Sequence, residues 1–277
     1  MARKISVISI HHQWAYKELA ESIKDALIIF GFEAECYNEI KYQTDFNIFI
    51  SGQALGVSDS AINIIYETDH IFKSPAQRPI DFVRYTRSLH WFDYKQDLTD
   101  QNIYYCPIGY SKYFDTHLIK RDLRPNFHLG RTAPTGFGSC RHLFRTKHDL
   151  FSIPRPGSPQ IMGDERDEII VTSKVNINSK FHDNYAFTPL HAALILCKGK
   201  MLLQEDYGLD DYNWYKPYLI LFDEFDEADF RSKLDYWVSH DKERHDFEQF
   251  IHEDIKKNHK FEDIFYDAIG DLLEQYR

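Results

Sequence analysis

Apolar residues in the first hundred positions come in short blocks separated by amphipathic stretches. Residues 4–10 read as a strand, with Ile5, Val7 and Ile8 apolar, and residues 11–13 read as its exit loop. Leu19, Ile23, Ala26, Leu27 and Phe30 then recur at helix spacing, and Gly31 stops that helix. Further strands are predicted at 32–37, 46–50, 62–66 and 103–106, with a small-residue loop, SGQALG, after the third of the five strands. Residues 82–92 are mixed and give no clear period. Strands alternating with helices predict a doubly wound α/β domain. GxGxxG is missing after the first strand, which disfavours an NAD-type oxidoreductase.

The second half repeats the alternation. Residues 112–124 are polar and basic and read as the interdomain connection, and 127–129 restart a sheet. A small-residue loop at 130–139 leads into a basic helix holding Arg141 and Arg145, and the Pro- and Gly-rich run 152–160 reads as a loop. The stretch 163–206 carries the clearest unit. It predicts a helix at 165–172, a strand at 175–178, an apolar helix at 189–197 ended by Gly199, and a strand at 201–204 closed by Glu205 and Asp206. Strand, crossover helix and strand imply a parallel sheet, whose ligands gather at the carboxyl ends of the strands. A strand at 218–222 and helices at 227–238, 242–257 and 261–276 complete the chain.

Composition narrows this picture. At 277 residues, 43% hydrophobic and 27% charged, the chain is expected to form two globular domains. No run approaches the roughly 20 apolar residues of a membrane span. The first residues are not read as a signal peptide, because serines interrupt their short apolar run. Cys36, Cys106, Cys140 and Cys197 lack CxxC spacing and read as free thiols in a reducing cytoplasm, with no metal site expected. The net charge of −10 argues against broad nucleic-acid binding and against anionic membranes. Charge is uneven, however. Residues 112–147 hold eight Lys or Arg against two Asp, and residues 205–229 hold nine acids against one Lys. The basic segment could face a phosphate-bearing ligand or could simply be a solvated face.

Three segments carry a family resemblance. They are 104–115, YYCPIGYSKYFD; the stretch containing Glu165–Arg166, Asn178, residues 190–199 and Glu205; and 219–261. Together they make the chain similar to small CgeB-like glycosyltransferases of the GT-B group. The resemblance implies two Rossmann-like domains whose parallel sheets face a central cleft. They are an N-terminal acceptor domain, 1–117, and a C-terminal nucleotide-sugar donor domain, 118–258. A C-terminal helix, 259–277, packs back on the first. It implies no cofactor beyond the nucleotide sugar as co-substrate. The acceptor would be a glycan, a protein or a hydroxymethylated base in phage DNA.

Glycosyl transfer needs cations or helix N-termini at the leaving diphosphate, a grip on the ribose, and in an inverting reaction a base at the acceptor hydroxyl. Arg131, Arg141 and Lys180 are the diphosphate candidates, and Glu205 is the ribose candidate. Asn178, Tyr185 and His191 line the same edge. The base is sought at strand exits of the first domain, among His11, His12, Asp69 and His70. Adjacent residues of an extended chain point oppositely, so at most one of His11 and His12 acts. The chain departs from the family pattern. Phe187 or Thr188 stands where an acid is expected, His191 where an arginine is expected, and Lys180 near an expected histidine. Those departures leave a second reading, a non-catalytic binding or structural protein that keeps the fold.

Overall fold

The structure is a computed structural model that describes residues 3–9, 16–50, 61–67, 87–90, 103–118, 120–129, 152–153, 163–178, 189–206, 212–223 and 226–277. Its contacts divide into two units, Met1–Tyr113 with His259–Arg277, and Phe114–Asn258. The first unit opens with β1 (Lys4–Ser9), α1 (Tyr16–Ile29), β2 (Glu33–Tyr37), β3 (Phe46–Ile50), β4 (Ile62–Glu67), β5 (Arg87–His90) and β6 (Ile103–Tyr105). These strands form one parallel sheet in the order β2-β1-β3-β4-β5-β6. β3 is buried along its whole length, and β1 beyond Lys4, as expected of strands covered on both faces. Leu19, Ile23, Ala26 and Leu27 form the buried stripe of α1. Gly31 ends it at φ +89°, a left-handed conformation that suits glycine. The unreadable run 82–92 contains β5. Its four residues are held by pairing with β4 and β6 on either side, a tertiary effect that local periodicity does not report.

The second unit contains β7 (Arg124–Leu129), β8 (Ser152–Ile153), α2 (Gly163–Thr172), β9 (Ser173–Asn178), α3 (Pro189–Leu196), β10 (Leu202–Asp206), β11 (Leu219–Asp223), α4 (Glu227–Ser239) and α5 (Asp241–Asn258). Its sheet, also parallel, runs β11-β10-β9-β7-β8. Counted from β7, the second strand lies on one side of the first, and the third, fourth and fifth on the other. The first sheet has the same order, so both units repeat one doubly wound plan. Val175, Ile177, Met201, Leu203, Phe222, Phe230 and Leu234 make one buried cluster between the sheet and α4. Asp226 caps α4, its carboxylate accepting from the backbone N–H groups of Ala228 and Asp229 at 2.9 Å each.

Three sequence expectations change here. Ser152 and Ile153 lie in β8, paired with His128 and Leu129, and not in a loop. Glu205 and Asp206 belong to β10 and pair with Phe222 and Asp223, so the strand continues through the acidic pair. The division between units falls before Phe114, whereas the reading from sequence put it after His117. Residues 114–118 and 120–123 belong to the second unit. Lys198 Nζ donates to the Phe114 carbonyl at 2.5 Å, and the N–H groups of Arg121 and Leu123 donate to Val171 and Thr172.

After α5 the chain returns to the first unit as α6 (Phe261–Tyr276), which packs on α1 and reaches the amino ends of β1 and β3 through Tyr276. Phe265, Ile269 and Leu273 are its buried stripe, and Tyr276 lies against Phe46 and Phe32. The entry to α6 is joined to the backbone at Tyr110 by an isolated parallel bridge, Tyr110 opposite Lys260. Tyr110 N–H donates to the His259 carbonyl at 2.7 Å, and Phe261 N–H donates to the Tyr110 carbonyl at 2.8 Å. Gly109 makes this approach feasible. A Cβ there would collide with the His259 carbonyl and come within 2.6 Å of Ile264 Cδ1. Gly109→Ala is therefore expected to destabilise the first unit by about 1–3 kcal/mol, read from the urea midpoint.

Candidate functional site

The carboxyl ends of β9 and β10, with the start of α3 between them in sequence, carry a cluster of buried polar side chains. In-register pairing puts Asn178 directly across from Gln204. Both are buried, and Asn178 Nδ2 donates to Gln204 Oε1 at 2.8 Å. Gln204 Nε2 in turn donates to the backbone carbonyl of Glu205 at 2.8 Å. A carbonyl can only accept, so this last bond fixes which end of each amide points where. Asp206 accepts from the hydroxyl of buried Tyr212 at 2.5 Å. Tyr212 begins an aromatic turn in which Trp214 lies edge-on to Tyr215 and Tyr218.

Strand alternation separates two of the residues expected to act together. Asn178, Gln204 and Asp206 project to one face of the sheet. Glu205 projects to the other, with Leu203 and with its register partner Phe222. Glu205 is fully buried. The edge thus offers two amides and the Asp206 carboxylate on one face and the Glu205 carboxylate on the other. His191 is half-buried in the first turn of α3, two residues after Pro189. Proline at the helix start has no N–H to present, so the backbone donors of that end begin with Leu190.

Of the sequence candidates, Asn178, His191 and Glu205 are placed at this edge. Arg131, Arg141, Lys180 and Tyr185 lie outside the described residues, as do His11, His12, Asp69 and His70. Gln204 was not singled out from sequence. Its only signal was its place one residue before an acid at a strand end.

The buried cations of this unit serve the scaffold. Lys198 is fully buried and lies 3.3 Å from Asp167, which also holds Arg166 at 2.9 Å. Burial pulls the Lys198 ammonium below the usual lysine range, against the attraction of Asp167. Lys200 meets Glu248 at 2.6 Å. Arg244 bonds Asp122, Asp241 and the Trp237 carbonyl. Asp241 is drawn down to about 2 by hydrogen bonds from Lys174 and Arg244. Lys198 and Lys200 immediately precede β10 at its amino end, so neither reaches the carboxyl edge. Of the cysteines, Cys36, Cys106 and Cys197 are free thiols, and burial pushes Cys36 and Cys106 up to about 12. Among the described residues no helix is long and apolar enough to cross a membrane.

No protein-family model matches this chain, and no curated protein is similar to it. Solved structures do match. An alpha-glucosyltransferase in complex with UDP and a 13-mer DNA containing a HMU base aligns over 98% of this chain and 100% of its own, at 13% identity and a TM-score of 0.63. The spinosyn forosaminyltransferase SpnP aligns over 99% of each chain, at 9% identity and a TM-score of 0.51. TarM aligns over 83% of this chain and 56% of its own, at 11% identity and a TM-score of 0.53. These likenesses establish the architecture. The chain has the GT-B-type fold of glycosyltransferases, with two Rossmann-like units and a final helix that returns to the first.

Proposed function

We propose that the chain transfers a sugar from a nucleotide-diphosphate sugar, a UDP-sugar, to an acceptor hydroxyl. The observation that carries this reading is the buried polar edge of β9 and β10, Asn178–Gln204 on one face and Glu205 on the other, in the second unit of a GT-B-type fold. Glu205, on one face of this edge, binds the ribose hydroxyls, and Asn178, on the other face, completes the donor site with Tyr185 and His191. Arg131, Arg141 and Lys180 offset the diphosphate charge, so that the leaving group departs with its negative charge already met. One of His11, His12 and Asp69 takes the proton of the acceptor hydroxyl. Histidine suits that task near neutral pH.

For the acceptor we favour the hydroxymethyl group of a modified pyrimidine in DNA. Two observations support it. The transferase whose complex contains HMU DNA aligns along its entire length. The basic run at 112–147 supplies local positive charge within an acidic chain.

Thermal-shift measurements with UDP, GDP and their sugars test the donor assignment. Saturating UDP is expected to raise the midpoint by several degrees, because ligand at about 100 times its dissociation constant adds about 2.7 kcal/mol. Product analysis with a duplex containing hydroxymethyluracil, beside maltoheptaose as a glycan probe, tests the acceptor. Phe187 or Thr188 where the resemblance expects an acid, and His191 where it expects an arginine, favour the non-catalytic reading. That reading gains if no nucleotide stabilises the chain and no donor is hydrolysed.

A further inference from the structure

We infer that the Ser9 hydroxyl contacts the acceptor substrate, an assignment that rests on the transferase reading above. Ser9 is the last residue of β1 and is 1% exposed. Its Oγ has no hydrogen-bond partner among the described residues. Other buried serines behave differently. Ser6 donates to the Tyr42 carbonyl, Ser22 donates to the Glu18 carbonyl and accepts from the Ser111 hydroxyl, and Ser173 donates to the Ile169 carbonyl, each at 2.7 Å. A buried hydroxyl left unmet costs stability, and alanine would avoid the cost. An unmet hydroxyl therefore points to a partner that comes from outside the described fold.

Its position says what kind of partner. Ser9 pairs with Ile50, and these are the last residues of β1 and β3. β2 lies on the far side of β1, so the sheet changes direction of winding between β1 and β3. Ligands of open parallel sheets bind at the carboxyl ends beside that change. His11 and His12, the candidate bases, follow two and three residues later in the chain. A serine hydroxyl both donates and accepts and carries no charge, so it complements a neutral hydroxyl and discriminates for neither anion nor cation. With the donor assigned to the second unit, the hydroxyl-bearing acceptor is the ligand of this edge.

Ser9→Ala is the test, with Ser9→Cys as a near-isosteric second variant. The free proteins should match or exceed the wild-type urea midpoint, because an unmet polar group has been removed. The UDP dissociation constant should not change. With the acceptor that the wild type glycosylates, the hydroxymethyluracil duplex or maltoheptaose, the acceptor KM should rise about fivefold, the loss of one ordinary hydrogen bond. Lower stability with unchanged kinetics would make the hydroxyl structural and overturn the assignment. Weaker UDP binding would move the contact to the donor and overturn it equally. A wild type that ignores every nucleotide sinks the transferase reading and this assignment together. A wild type and variants that transfer equally well sink the assignment alone.

Discussion

Glu248→Leu is expected to remove about 3–5 kcal/mol from the stability of the second unit, measured by urea denaturation. Lys200 and Glu248 are both buried, 2.6 Å apart. The next carboxylate oxygen on Lys200, from Asp122, is 3.8 Å away. Glu248 also accepts from the backbone N–H of Met201 at 3.3 Å, just before β10 begins. Removing the carboxylate leaves an ammonium in the interior with one distant partner. It also leaves a backbone donor without its acceptor, so the loss exceeds that of an exposed ion pair by several-fold. Desolvation causes the loss, so removing the second charge should reverse it. Glu248→Leu with Lys200→Met should regain most of the stability, a coupling read directly from a double-mutant cycle. A single variant that loses less than about 1 kcal/mol would contradict the burial of this pair.

The second large effect concerns the donor edge. Glu205→Gln keeps the shape of the side chain and removes its charge. If Glu205 holds the ribose, the variant loses a charged hydrogen bond of about 1.5–3 kcal/mol, and UDP affinity should fall about ten- to a hundredfold. Calorimetric titration with UDP measures the affinity, and the urea midpoint guards against a folding defect. An intact fold with unchanged affinity would remove Glu205 from the donor site.

The scaffold was largely legible because its strands are apolar runs covered on both faces. Residues 46–50 and 261–276 were read with the observed limits, since a buried strand and an amphipathic helix of 16 residues each carry their own period. β5 and β8 were not legible. β8 has two residues and β5 has four, and their neighbours in the sheet hold them. The acidic pair at 205–206 misled for another reason. Charged residues suggest a strand's end, yet here pairing with Phe222 and Asp223 extends the strand through them. At the site, Asn178 and Glu205 stood out by type and position. Gln204 did not, because a neutral amide gains meaning only when the register reveals Asn178 across from it. The unmet state of Ser9 is likewise invisible to sequence, since it is a statement about missing neighbours in three dimensions.

The return of α6 to the first unit has a consequence for how the chain is made. The second unit is one continuous segment, Phe114–Asn258, whereas the first needs residues from before and after it. During synthesis, the sheet of β1 to β6 emerges first but lacks the helix that covers α1, Phe46 and Phe32. The domain begun first is finished last. Its exposed apolar surface must wait through the translation of some 145 residues, roughly 7–30 s at ordinary rates of elongation. The second unit can meanwhile fold on its own. A ribosome-stalled chain ending before Phe261 should therefore protect the second unit from protease and leave α1 open to cleavage.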